Sequence, residues 1–134
     1  MNRERALTIT WTLLRVVFGL MFVQVGGLKL FGWFGGMPGA NGVPPPVLSQ
    51  VWIGGVLEVV GGSLIALGLF TRPAAFILSG EMAVAYWQFH APNGTWPIQN
   101  HGEGAVLYCF IFLFMAAYGA GDWSLDAVLR KKRM

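Results

Sequence analysis

Seven ionisable side chains stand inside or beside otherwise apolar stretches: Arg15, Lys29, Glu58, Glu81, Glu103, His90 and His101. In surroundings of low dielectric such groups can hold or pass protons, because burial and neighbouring charge move their proton affinities. Tyr86 and His90 add groups that can hydrogen-bond the carbonyl of a small ligand. His90, His101 and Glu103 also match a familiar metal-ligand set of two imidazoles and a carboxylate. They come from two segments without a tight motif, so they are weak candidates and no metal is expected.

Chemistry of this kind needs elements that fix depth and direction. The chain has 134 residues, 55% hydrophobic and only 11% charged, too few charges to coat a compact soluble domain. The bilayer is then the solvent, and four stretches have a length that can cross it, at 7–31, 51–70, 73–90 and 102–120. The predicted fold class is an all-α membrane protein: an antiparallel four-transmembrane-helix bundle, one domain over 1–134, with a short interfacial helix at 124–132. Seven of the nine Lys and Arg lie outside the spans: Arg3, Arg5, Arg72, Arg130, Lys131, Lys132 and Arg133. Threading four spans in order puts them all on one side, while the loops 32–46 and 91–101 carry none. By the positive-inside rule both termini are cytoplasmic. The net charge of +3 therefore reads as topology and anionic-lipid contact rather than a nucleic-acid surface.

Helical spacing sorts the buried charges by face. Thr8, Thr12, Arg15, Gly19, Phe22, Gly26, Lys29 and Trp33 form one stripe of the first span, which should point into protein. In the second span Glu58 shares a groove with Gly54, Gly61 and Gly62, and in the third Glu81 lies on a face with Ala85 and Gln88. Counting about 1.5 Å per residue gives two polar layers. Arg15 is expected with Glu81 and Glu58 in the inner one, and Lys29 with Glu103 and the histidines in the outer one. The row Ala75, Ser79, Ala83 is a small-residue packing face that serves either the bundle interior or an oligomer.

The remaining segments are simpler. Residues 32–46 are a Gly/Pro-rich loop, and Thr71-Arg72-Pro73 is a tight link with Pro73 suited to a helix's first turn. Asn93-Gly94-Thr95 reads as a turn rather than a glycosylation acceptor. The first span is too long, and too interrupted by Arg15 and Lys29, for a cleaved signal, so it should stay in the mature protein. Cys109 is the only cysteine, which excludes an internal dithiol. Ser124 is the expected N-cap of the terminal helix, with Trp123 at headgroup level.

Several motifs in order carry a family resemblance: RVVFGLMF, GGLKLFGWF at 26–34, EVVGGSLIALGLFTRPAA at 58–75, EMAVAY in the third span, HGEGAVLY at 101–108 and the closing GDWSLD. Together they resemble the DoxX family of small four-helix membrane proteins over essentially the whole chain. The resemblance implies a multi-pass protein of a bacterial or archaeal cytoplasmic membrane, associated with redox complexes. The family takes its name from a subunit of a membrane thiosulfate:quinone oxidoreductase, and many members have no assigned activity. It also implies a partner redox subunit and places recurring polar positions on Arg15, Lys29, Glu58, Glu81 and Glu103.

The resulting expectation is a membrane component of a redox system that interacts with a partner oxidoreductase, with its own enzymatic status left open. Glu58, Arg15 and Glu81 would handle protons, and Lys29, Tyr86, His90 and Glu103 would hold a quinone or another small ligand. No flavin, nucleotide or haem motif is encoded, so quinone is the only cofactor considered. The competing readings are a non-catalytic scaffold or assembly factor, and a small-solute or ion pathway that would need a homo-oligomer.

Overall fold

The computed structural model describes residues 1–134; its regular structure is helical, with six α-helices and no strand. The chain divides into two units, Met1–Thr71 with Ala120–Met134, and Arg72–Gly119.

In the first unit, α1 spans Arg3–Phe31 and α2 spans Gln50–Leu67, both long and apolar enough to cross a membrane. Each begins at a polar cap: the Asn2 side chain accepts from the Arg5 N–H at 2.9 Å, and Ser49 accepts from the Trp52 N–H at 3.2 Å. Each ends at a left-handed glycine, Gly32 at φ 69° and Gly68 at φ 68°. The middle of the stripe predicted on the first span is the face that α1 buries: Arg15, Gly19, Phe22 and Gly26 are buried and Lys29 is half-buried, whereas Trp33 falls beyond the helix end at Gly32 and is exposed. On α2 the buried positions are Gly55, Glu58, Gly61, Gly62 and Ile65, so Gly55 takes the place expected of the half-buried Gly54.

The two helices run antiparallel and touch backbone to backbone. A Cβ added to Gly19 would lie 2.5 Å from the Ala66 nitrogen and 2.7 Å from the Gly62 oxygen, and one on Gly62 would lie 2.7 Å from the Gly19 oxygen. Further along, Gly26 meets the Gly55 oxygen at the same hypothetical 2.7 Å. Where neighbouring side chains are as apolar as lipid, close backbone approach of this kind is what favours helix on helix over helix on lipid. The last helix of this unit, α6 over Leu125–Arg133, starts at Ser124, whose hydroxyl accepts from the Ala127 N–H at 3.2 Å.

The second unit contains nearly all of α3, Thr71–Ala85, which continues as a π-helical turn over Tyr86–His90; the short α4, Pro97–Asn100; and the apolar α5, Glu103–Tyr118. Two hydrogen bonds tie α3 to α5 in antiparallel order. Ser79 Oγ donates to the Cys109 carbonyl at 2.8 Å, and Arg72 Nη1 donates to the Ala117 carbonyl at 2.7 Å. Ala75 and Ser79 are buried, so this part of the small-residue row packs inside the protein.

Candidate functional site

Arg15 and Lys29 stand on the same face of α1, about 21 Å apart along its axis. They do different things there. Lys29 Nζ donates to Glu58 Oε1 at 2.6 Å, an ion pair in which the Glu58 side chain is fully buried and that of Lys29 is 24% exposed. The glycines of α2 position this pair: with Gly55 against the Lys29 and Leu30 side chains and Gly62 against the α1 backbone, Glu58 is held in the seam. An acid so enclosed is sustainable as an anion only with its cation in place.

Arg15, 2% exposed, makes no carboxylate hydrogen bond. Its Nη1 donates to the carbonyls of Ile65 and Ala66 at 2.8 and 2.7 Å, and its Nη2 to that of Trp123 at 2.8 Å. Ile65 and Ala66 lie in the last turn of α2, where the helix dipole favours a cation; the Ile65 carbonyl also accepts from the Gly68 N–H at 3.1 Å. Asp126 supplies the favourable charge near this guanidinium. Its carboxylate accepts from the N–H groups of Phe70 and Thr71 at 2.8 and 3.0 Å, and its own N–H donates to the Gly68 carbonyl at 2.8 Å. One arginine and one aspartate thus close the α2 exit and the start of α3.

The expected layers are corrected on this point: Glu58 belongs with Lys29, and Arg15 belongs to a backbone clamp. The reason lies in side-chain direction. A helical side chain leans toward its helix's N-terminus, so Lys29 reaches inward to Glu58 while Arg15 reaches toward the end of α2. Depth counted from Cα positions misses both displacements.

The other sequence-predicted residues lie in the second unit. Glu81 is half-buried on α3, Glu103 is exposed at the start of α5, and His101 is exposed in the loop at φ 59°. Tyr86 and His90 are brought together. Their rings stack at 6.5 Å between centroids, and both are tied to Asn100, which is 2% exposed. Asn100 Nδ2 donates to the Tyr86 hydroxyl at 3.2 Å and to the Gly94 carbonyl at 3.0 Å, while its Oδ1 accepts from the Gly102 N–H at 2.8 Å. His90 Nδ1 sits 3.1 Å from the Asn100 carbonyl. A carbonyl can only accept, so Nδ1 carries the proton and a neutral His90 keeps its lone pair on Nε2. No group of three His, Cys, Asp or Glu side chains is placed to hold a metal ion, so His90, His101 and Glu103 do not form one.

Asp126 and Asn100 are the residues that sequence reasoning missed. Asp126 has a signal: the link after Gly68 offers no Ser, Asp or Asn at Phe70 to cap the helix that starts at Thr71, so a remote acceptor is needed. Asn100 has only its place beside the Asn93-Gly94 turn.

A family model described as DoxX matches residues 10–91. A Haemophilus influenzae protein described as uncharacterized is 43% identical over 98% of this chain and 98% of its own length. The Escherichia coli inner membrane proteins YqjF and YphA are 30% and 32% identical, over 88% and 84% of this chain and 90% and 84% of theirs. No solved structure matches the chain. The family match over most of α1 to α3, together with relatives that are inner membrane proteins, identifies the chain as a membrane protein of the DoxX family.

Proposed function

We propose that this protein is a multi-pass component of a membrane redox system, working with a partner oxidoreductase, in which the Lys29–Glu58 pair exchanges protons with a small ligand such as a quinone. One observation carries the reading: the Glu58 side chain is sealed while the Lys29 side chain paired with it remains 24% exposed. A group approaching from outside therefore meets the Lys29 side chain before Glu58, and Lys29 Nζ is in hydrogen-bond contact with the acid. The residues fit a quinone, since an ammonium can donate to a ring oxygen and the buried carboxylate behind it can take up the charge change. A bound quinone would supply two-electron, two-proton chemistry. The chain's own part is to orient the ring oxygen and hold a proton at Glu58. In the second unit the Tyr86 hydroxyl and His90 Nε2 offer a further donor and acceptor, with Glu81 and Glu103 as carboxylates for proton transfer. Arg15 moves to a positioning role. The topology that goes with this reading is the four-span antiparallel bundle with both termini cytoplasmic, supported by the basic residues near the N-terminus and in α6.

The scaffold reading is favoured by a different observation. The glycine seam and the Arg15 clamp are built from backbone contacts, and they would serve folding alone equally well. Extraction of the purified protein, with mass spectrometry for co-purified quinone, separates the two. Stoichiometric quinone that is lost in a folded Glu58→Gln variant is the expected result. No retained quinone, and no binding when it is added, would leave the scaffold.

A further inference from the structure

The helix α6 carries two faces whose uses differ. Ala127 is buried, at 2% exposure, and with Ser124 and Asp126 it fixes the helix to the end of α2. Leu125, Val128 and Leu129, spaced i, i+3 and i+4, form a second face that is exposed, and Trp123 beside it is exposed as well. Arg130, Lys131, Lys132 and Arg133 follow directly and are all exposed. The end of α2 lies level with Arg15 of α1, so Arg3 and Arg5 stand on the same side of this unit but roughly 15–20 Å further along the α1 axis. An apolar stripe fixed at the end of the membrane-crossing α2, with a block of cations beside it, has the composition of a helix lying in the headgroup layer.

We propose that α6 and Trp123 form a binding site for anionic phospholipid of the bilayer in which the protein is embedded. Leu125, Val128 and Leu129 enter the acyl boundary, and the four terminal cations pair with headgroup phosphates. Charge complementarity selects this occupant. A zwitterionic lipid offers the same apolar boundary but no net charge, and a soluble acidic protein offers charge without a place for the stripe. The site is built rather than incidental, because the helix cannot turn its stripe away while Ala127 and the Asp126 hydrogen bonds hold it. Its occupation also bears on the core, since the Trp123 carbonyl is one of the three acceptors of Arg15. This inference is independent of the redox reading.

The test is a titration of the full-length protein in mild detergent with short-chain phosphatidylglycerol, phosphatidylcholine or glycerol phosphate, followed by thermal unfolding and by native mass spectrometry of retained lipid. Phosphatidylglycerol is expected to bind at least tenfold more tightly than phosphatidylcholine and to raise Tm, while glycerol phosphate leaves Tm unchanged. Each cation removed should weaken phosphatidylglycerol binding about fivefold. The exposed variant Lys131→Gln/Lys132→Gln/Arg133→Gln should lose the preference with its lipid-free Tm intact. Equal binding of the two lipids, an equal shift with glycerol phosphate, or an undiminished preference in that variant would overturn the proposal. An Arg3→Gln/Arg5→Gln variant that alone abolishes the preference would overturn it too, by moving the site to α1.

Discussion

The two cations of α1 make a natural pair for comparison. Arg15 and Lys29 occupy the same face of one helix, yet one is held by three carbonyls and the other by one carboxylate. Arg15 offers several N–H groups in a planar fork, which suits divergent backbone acceptors, and a guanidinium does not give up its proton. Lys29 offers a compact charge on a flexible stem to a single acid that can change its protonation. The lesson is that a buried charge says little until its partners are known. Carbonyl partners make a fastener, and a titratable partner makes a site.

The largest expected effect removes the frame that both cations share. Gly19→Val should give no folded protein in detergent, read as loss of monodisperse material, because its Cβ would meet the α2 backbone. Arg15→Met should come next, destabilising by about 3–5 kcal/mol in denaturant unfolding, since one buried and two part-buried carbonyls lose a charged donor at once. Asp126→Asn should cost about 1–2 kcal/mol, as it keeps an acceptor for Phe70 or Thr71 but removes the charge near Arg15. Glu58→Gln should cost about as much or less, because half-exposed Lys29 can turn its amine outward, yet it should abolish ligand retention. The double replacement Lys29→Met/Glu58→Leu should fall within about 1 kcal/mol of the native chain. A double variant as damaging as Arg15→Met would erase the distinction between fastener and site.

Much of the first unit is legible in the sequence because its information is periodic. The face made by Arg15, Gly19, Phe22, Gly26 and Lys29 follows from helical spacing, and so does the glycine groove around Glu58, apart from the exchange of Gly54 for Gly55. Pairing was not legible, because it depends on where side-chain tips lie rather than where Cα atoms do. Asp126 was hidden by an ordinary alternative, since an acid in the first turn of a helix already has a reason to be there. Asn100 was hidden by the length of its loop. Its role requires Tyr86, Gly94 and Gly102 to converge, and no period or motif joins those positions.

The glycine seam also bears on how the protein meets bilayers of different thickness. With the α1 and α2 backbones in contact at Gly19–Gly62 and again at Gly26–Gly55, sliding one helix past the other would drive neighbouring side chains into backbone. Hydrophobic mismatch must then be absorbed by tilting the two helices together, at a modest cost per ångström, rather than by shear between them. The spacing of Lys29 from Glu58 is thereby insulated from the lipid, and a change of membrane thickness would reorient the ion pair without stretching it.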